Sequence, residues 1–266
     1  MASKFHNKVV WITGASSGIG EATAYEFAKV GAKLVLSARR KEELERVKSK
    51  TGLLPENVLV LPLDMTDIES LRGKVNDVLD YFGSIDVLFN NAGISQRGSV
   101  SASKFDVYRS IMELNFFGVI ALTQAVLPVM LRQKSGNIAV TSSISGKLGT
   151  PLRSGYCASK HALHGFFDSL RSEIWRENVH VTLICPGYIR TEISTKAVSA
   201  DGSPHGRMDE NQAKGMSAEK CATKIFKAIN ANREEVYMGG IEVLGVYLKR
   251  FFPRILSRIL RNQLPK

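Results

Sequence analysis

The strongest constraint on this chain lies in its first forty residues. Positions 8–13 form a near-continuous apolar run rich in β-branched side chains, a glycine-rich turn follows, 19–30 has a helical pattern that Gly31 ends, and 33–37 reads as a second strand. Two strands separated by a helix cannot pair as a hairpin. They pair in parallel through the crossover, and parallel strands are buried on both faces. The rest of the chain therefore has to supply helices for two faces, and its pattern does so. Strand-like runs recur at 58–61, 87–89, 138–141, 179–184 and 236–238, with helical patterns around 41–50, 67–81, 105–132, 155–176 and 217–230. This predicts an α/β fold, a doubly wound parallel seven-stranded sheet of the Rossmann-like kind with helices on both faces. No internal repeat or Pro/Gly/Ser linker interrupts it. Residues 1–240 read as a single domain and 241–266 as a basic amphipathic helical extension.

A chain of 266 residues, 44% of them apolar, buries a core without metals or disulfides as staples. Cys157, Cys185 and Cys221 form no CxxC pair and no even framework, which points to a reducing compartment. The net charge of +11 implies an anionic partner. Its distribution is uneven, because Lys249, Arg250, Arg254, Arg258, Arg261 and Lys266 face Glu242 alone in the last 26 residues. No RRM, zinc-finger or helix-turn-helix signature is present, so no nucleic-acid partner is expected. The apolar run at 9–13 is too short for a signal-peptide core. The charge-free stretch 115–131 carries Asn115, Gln124 and Pro128 and falls short of the ~20 residues a span needs, so it reads as a helix buried in a soluble protein. Positions 195–215, rich in Ser, Gly, Asp and Asn, read as a mobile loop acting as a lid.

After the first strand comes Thr13-Gly14-Ala15-Ser16-Ser17-Gly18-Ile19-Gly20. Gly14, Gly18 and Gly20 stand where a backbone turns tightly, approaches a pyrophosphate and lets a helix pack on a strand. The helix that starts there turns its free N–H groups toward the anion, with Ser16, Ser17 and Ile19 in the same cradle. The end of the second strand, Ser37-Ala38-Arg39-Arg40, lacks the acid that binds the adenosine ribose of NAD. Arg39, with Arg40 beside it, suits a 2′-phosphate instead, so NADP is the expected cofactor.

Tyr156 and Lys160 are four apart within a helical pattern and so share a face. An ammonium beside a phenol favours the phenolate and brings its pKa down from ~10, which makes the phenol a usable proton donor and acceptor. Thr141-Ser142-Ser143 ends a strand, where open α/β sheets place ligands, and a hydroxyl there can donate to a carbonyl oxygen. Asn90-Asn91-Ala92-Gly93 makes a small-residue turn after the fourth strand, and Asn115 is an amide that needs partners inside an apolar helix. His161 and His164 are three apart, but nothing completes a metal site around them, and none is expected.

With these residues in this order, the chain resembles the short-chain dehydrogenase/reductase family in its single-domain form over roughly residues 7–240. It is most similar there to NADP-using, hydroxysteroid- and retinol-dehydrogenase-like and DHRS7-like members. The resemblance implies that Tyr156 is general acid in carbonyl reduction and base in alcohol oxidation. It further implies that Lys160 lowers the tyrosine pKa and binds the nicotinamide ribose, that Ser143 orients the substrate oxygen, and that Asn115 holds a water as proton relay. Ser143 is preferred to Ser142 because the family's serine stands thirteen positions before its tyrosine. By the same resemblance Asp64 bonds the adenine with Met65 beside it, Asn91, Ala92 and Gly93 line the adenosine side, and Pro186, Gly187, Ile189 and Thr191 fix the nicotinamide amide.

The implied function is hydride transfer between NADP(H) and a carbonyl or secondary alcohol. Leu148, Leu152, Tyr188, Ile189 and Ile94 would wall an apolar pocket for a steroid-, retinoid- or lipid-like substrate, with Ser143, Tyr156, Leu148 and Tyr188 in contact with it. The alternative is a nucleotide-sensing or scaffold protein on the same fold, which normally lacks one of the reacting pair. A longer epimerase or dehydratase branch does not fit the length. The apolar face of 116–131 predicts a homodimer or homotetramer through 105–132 and 155–176. In the extension, Pro253 suits a first helical turn, Arg254, Arg258 and Arg261 share one side, and Ile255, Leu256, Ile259 and Leu260 take the other. Such a helix either lies in a membrane interface or packs on the protein. The expected location is intracellular, cytoplasmic or peripheral on the cytosolic face of a membrane such as the endoplasmic reticulum.

Overall fold

The computed structural model describes residues 3–262, so Lys266 lies outside the described residues. Its central sheet is built from β1 (Val9–Thr13), β2 (Lys33–Ser37), β3 (Val58–Val60), β4 (Val87–Asn90), β5 (Gly136–Thr141), β6 (Val179–Pro186) and β7 (Glu235–Met238). All pairings are parallel, in the order β7-β6-β5-β4-β1-β2-β3. The chain thus winds outward from β1 in both directions, as the first forty residues require.

The connecting helices are α1 (Gly18–Ala28), α2 (Lys41–Ser49), α3 (Leu71–Phe82), α4 (Phe105–Met112), α5 (Gly118–Gln133), α6 (Ser154–Glu173), the single turn α7 (Glu210–Ala213) and α8 (Ala218–Asn230). Alternation along β1 sorts them. Val9 and Trp11 face one core with Val75 and Val78 of α3, Leu122 and Val126 of α5, and Leu163 and Phe167 of α6. Val10 and Ile12 face the other, with Phe27 of α1, Leu44 of α2, and Ile225 and Ile229 of α8. Each fully buried side chain of this size stabilises the fold by roughly 1.5–3 kcal/mol. The buried indole of Trp11 donates to Ser37 Oγ at 2.9 Å, so the first two strands are also joined by side chains.

Three regions carry more than the sequence expectation, the first as the buried helix it describes, the others differently. The charge-free stretch belongs to a longer helix, Phe105–Gln133, which by length and composition alone is apolar enough to cross a membrane. Val119, Leu122, Val126 and Met130 on it are packed against the sheet instead. It is continuous through a π turn at Glu113–Phe117, a geometry that inserts one residue and often marks functional positions. Gly118 lets this helix close on the loop after β3, because a Cβ there would run into the carbonyl oxygen of Met65.

The 195–215 segment, which its composition makes a mobile lid, instead holds α7 and a two-residue strand, Val198–Ser199. Asp209 pins it. Its Oδ2 accepts from Arg97 Nε at 3.0 Å and from Arg153 Nη2 at 3.1 Å, while Ser194 and Ala197 are fully buried. No local pattern announces this, since Arg97 and Asp209 are 112 positions apart.

The C-terminal extension forms α9 (Leu244–Phe251) and α10 (Pro253–Arg261). Its apolar face divides. Leu256 is buried and Leu260 half-buried, whereas Ile255 and Ile259, one step round the helix, are exposed.

Candidate active site

A cleft of about 740 Å³ opens at the C-terminal ends of β1, β2, β4 and β5, where the sheet order reverses about β1. Open α/β sheets bind ligands at this place because the loops from strands leading in opposite directions part there. Gly14, Ser16, Ser17, Gly18, Ile19, Arg39, Arg40, Asp64, Met65, Asn91, Ala92, Gly93, Tyr156, Lys160 and Thr191 line it together.

The cradle follows from its glycines. Gly14 has φ of +64° and Gly18 of +60°, and a Cβ on Gly14 would stand 3.0 Å from Ala92 Cα. Gly20 acts from beneath: a Cβ there would meet the carbonyl of Gly14, so it permits the close approach of α1 without lining the cleft. Ser17 is in extended conformation and its hydroxyl does not cap α1, which leaves the first-turn N–H groups open to an anion. Thr13 Oγ1 accepts from the amides of Asn91 and Ala92 at 3.0 and 3.1 Å. The Asn91 side chain donates to Thr13 O at 3.2 Å and accepts from Thr141 Oγ1 at 3.1 Å, so it ties three strand ends together. A contact that sequence reasoning misses holds the cradle from outside. Arg46 of α2 grips both oxygens of Glu21 at 2.7 and 2.8 Å and donates to Ser16 O at 3.2 Å.

At the end of β2, Ala38 is half-buried and Arg39 and Arg40 are exposed at the rim. The acid on that side of the cleft is Asp64, and its Oδ1 is occupied by the Thr66 amide at 2.9 Å and hydroxyl at 2.8 Å. Those bonds, the backbone one first, hold its carboxyl below the ordinary carboxylate range against burial, with Arg39 contributing. The end of β2 thus presents two exposed guanidinium groups to the cleft, with Glu192 on the opposite wall near Arg40. Glycine cradle, open helix end and paired arginines all suit an anionic ligand.

At the other end, Tyr156, Lys160 and Ser143 are all buried, with Tyr156 8%, Lys160 3% and Ser143 7% exposed. Gln96, fully buried, holds the start of α6: its Oε1 accepts from Gly155 N at 2.7 Å and from Tyr156 N at 3.4 Å. No sequence pattern marks Gln96. Ser143 Oγ accepts from Ser145 N at 3.1 Å and donates to Pro186 O at 3.3 Å, and it stands beside the phenol. Ser142 faces away, donating to Lys160 O at 3.1 Å and meeting His164 Nε2 at 3.0 Å. Of the two serines Ser143, the one the resemblance implies, stands beside the phenol, although neither is among the cleft-lining residues.

Charge at this end differs from the expectation. Burial raises the Tyr156 phenol above its ordinary value, opposed by the Ser143 hydroxyl and then by Arg153 and Arg97. The Lys160 ammonium lies 5.8 Å from the ring centroid and donates to Thr141 O at 2.7 Å. Burial itself brings Lys160 down to about 8. Desolvation outweighs the mutual attraction that spacing alone suggests.

Asn115 finds the partners that a buried amide needs. Its Oδ1 accepts from Ile94 N at 2.9 Å, and its Nδ2 donates to Ile94 O at 2.9 Å and Ser159 Oγ at 3.1 Å. The side chain is spent on fixing the 94 segment against α6. Ile189 does not reach the cleft: it is 2% exposed and packed in the core beside Met216. Pro186, Gly187, Leu148 and Tyr188 also lie off the cleft lining. Gly187 N donates to Met238 O at 2.6 Å, and Tyr188 N donates to Glu242 Oε1 at 3.0 Å. Leu63, Leu114, Ile193 and the Glu192–Lys196 ion pair line the cleft with no motif to mark them in the sequence.

A family model described as short chain dehydrogenase matches residues 8–202. Over 271 residues the chain is 44% identical to a dehydrogenase/reductase SDR family protein 7-like of Anopheles gambiae, covering 100% of this chain and 86% of that one. It is 41% identical to the mouse dehydrogenase/reductase SDR family member 7B, covering 98% of this chain and 82% of that one. Among solved structures, a short chain dehydrogenase/reductase from Burkholderia phymatum in complex with NAD superposes with a TM-score of 0.84 at 26% identity, covering 99% and 98% of the two chains. Levodione reductase superposes with a TM-score of 0.77 at 26% identity over 91% of this chain and 99% of that one.

The lowered Lys160 pKa has two signed consequences. Between about 8 and the ordinary lysine value of 10.5 the folded chain binds fewer protons at this site than the unfolded chain, so this group's contribution to stability rises with pH across that window. Any reaction that needs the ammonium runs the other way. Turnover that depends on the ammonium is expected to hold level below pH about 8 and to fall by about tenfold per unit above it. A profile of kcat/KM that stays flat to pH 10 would show that the ammonium is not required.

Proposed function

This chain belongs to the short-chain dehydrogenase/reductase family, and on that premise we propose that it is an NADP(H)-dependent oxidoreductase acting on a carbonyl or secondary alcohol. The observation that carries the proposal is that Tyr156 and Lys160 line the same cleft as the Gly14–Gly18 turn and the Arg39–Arg40 pair. A reacting centre at one end and a phosphate-binding rim at the other suit one extended dinucleotide. The catalytic domain is residues 1–240, with 241–266 as its extension.

The cradle of Gly14, Ser16, Ser17, Gly18, Ile19 and Gly20 takes the pyrophosphate, Arg39 and Arg40 the 2′-phosphate, and Asp64, Met65 and Asn91–Gly93 the adenosine side. The bound nicotinamide supplies or accepts the hydride. In reduction the Tyr156 hydroxyl gives its proton to the carbonyl oxygen, and the raised phenol value keeps that proton in place at neutral pH. Ser143 donates a hydrogen bond to the same oxygen. Lys160 holds the nicotinamide ribose and, when charged, favours the phenolate left after transfer. Because the Asn115 side chain is taken up by Ile94 and Ser159, a water-holding role for this residue falls to its backbone carbonyl.

The substrate class is hydrophobic, supported by Ile94, Leu114 and Ile193 in the cleft lining that Tyr156 shares. The chain works inside the cell, cytoplasmic or held at the cytosolic face of a membrane such as the endoplasmic reticulum by its extension. The assembly is a homodimer or homotetramer through α4–α5 and α6, supported by Phe117, exposed at 39%, and by the half-buried Phe116, Leu127 and Leu131. Sedimentation as a single chain at micromolar concentration would refute that assembly.

Two measurements test the enzyme itself. Tyr156→Phe removes only the transferable proton, so turnover of a steroid, retinoid or simple carbonyl found by NADPH oxidation should fall ~10²–10⁴-fold while NADPH affinity is kept. Full turnover in that variant would end the assignment. Binding of NADPH should exceed that of NADH by about tenfold or more, about 1.4 kcal/mol, and Ala38→Asp with Arg39→Ala should reverse the order. Equal binding of both by the unaltered chain would overturn the NADP reading.

A further inference from the structure

Among the described residues fifteen large apolar side chains stand exposed, and seven of them lie between Ile241 and Ile259. Leu244, Tyr247 and Phe251 follow one side of α9, Phe252 stands in the bend, and Ile255 and Ile259 follow α10. Soluble surfaces seldom gather so much apolar area in one place. The cations of the same segment, Lys249, Arg250, Arg254, Arg258 and Arg261, are all exposed. No acid occurs from Val243 to Asn262, and none of the five cations pairs with a carboxylate among the described residues.

The platform is fastened to the segments that follow β6 and Ser143. Glu242 accepts from Tyr188 N at 3.0 Å, and its carboxylate fills the space that Gly187 and Gly239 leave, where a Cβ on either would collide with it. A Cβ on Gly245 would stand 3.2 Å from Leu148 Cδ2 and 3.9 Å from Leu256 Cδ1, so α9 rests on Leu148 with Leu256 closing over it.

We propose that α9 and α10 form a docking surface for an anionic lipid bilayer, which sets the substrate side of the site against the membrane and lets a hydrophobic substrate pass in from the lipid. This deepens the functional reading above and rests on it for the substrate's passage, but not for the docking. Exposed aromatic and branched side chains flanked by arginines suit the boundary between acyl chains and headgroups. The basic residues add electrostatic attraction that only an anionic surface supplies. A second copy of this chain is the wrong occupant, because an isologous contact would set the same five cations against themselves.

The test uses the full chain with vesicles of phosphatidylcholine alone and vesicles containing phosphatidylserine. Truncation after Gly240 is a poor probe, since it also removes Glu242 and Leu256. Surface variants are cleaner: Arg254→Glu with Arg258→Glu for the charge, and Phe251→Ser with Phe252→Ser for the apolar face. The unaltered chain should sediment with the anionic vesicles, bind the neutral ones at least about tenfold more weakly, and be released by high salt as exposed charges are screened. Each double variant should weaken anionic binding about tenfold or more at unchanged NADPH affinity, which reports that the fold is kept. Anionic vesicles should raise kcat/KM for a membrane-dissolved substrate in the unaltered chain and not in the variants. Equal binding to both vesicle types, undiminished binding by the variants, or variants that instead change the sedimentation coefficient without lipid would overturn the proposal. Vesicle binding without any turnover would count against the oxidoreductase reading and leave the docking surface standing.

Discussion

A parallel strand pair cannot close through a short turn, and that restriction governs this molecule. Each step from strand to strand needs a crossover, each crossover helix has an apolar side to bury, and the sheet has two faces to receive it. Trp11 and Val10, adjacent in β1, consequently look into different cores. Because the winding starts at β1 and proceeds both ways, the loops after β1 and β4 leave in opposite directions. The cleft is the space between them, and the catalytic candidates lie where they do because the winding opens there.

Burial does two things in that space. It fixes geometry, since Gln96, Ser159 and Thr141 each bind a group that positions Tyr156, Asn115 or Lys160 with little competition from water. It also disfavours charge, pushing the phenol up and the ammonium down. Near neutral pH the two effects leave a protonated phenol beside an ammonium that titrates at about 8. At the far end Arg39 and Arg40 remain exposed. One cleft thus presents a desolvated, proton-bearing end and a hydrated, cationic end.

The segments outside the repeating pattern are tied down by few but specific contacts. Asp209 binds Arg97 and Arg153 and so closes the 195–215 segment over the side of the site that bears Tyr156. Opposed to the desolvation of its own site, that pairing holds the Asp209 carboxyl below the ordinary range, with Arg97 the stronger partner. Glu242 does the corresponding work for the C-terminal helices, using glycines at 187 and 239 as its seat. Asp209 precedes α7 and Glu242 lies in the helical turn before α9, and each joins regions distant in sequence.

Patterns that repeat within a few residues are legible in the amino-acid sequence alone. The strand runs, the helical periods, the Gly14–Gly18–Gly20 turn and the Tyr156–Lys160 spacing are local, and local geometry follows from backbone sterics and hydrophobic period. Ser143 is singled out from Ser142 only by the family resemblance, since both stand at the end of the same strand. The rest depends on residues that meet only when the chain is folded. The pairing of Asp209 with Arg97, the capping of α6 by Gln96, the engagement of Asn115 by Ile94 and the burial of Ile189 leave no periodic mark. Charge states are the least legible of all. Spacing shows that Lys160 stands near Tyr156, but how far each is desolvated depends on what packs around both, and desolvation is a property of the assembled core.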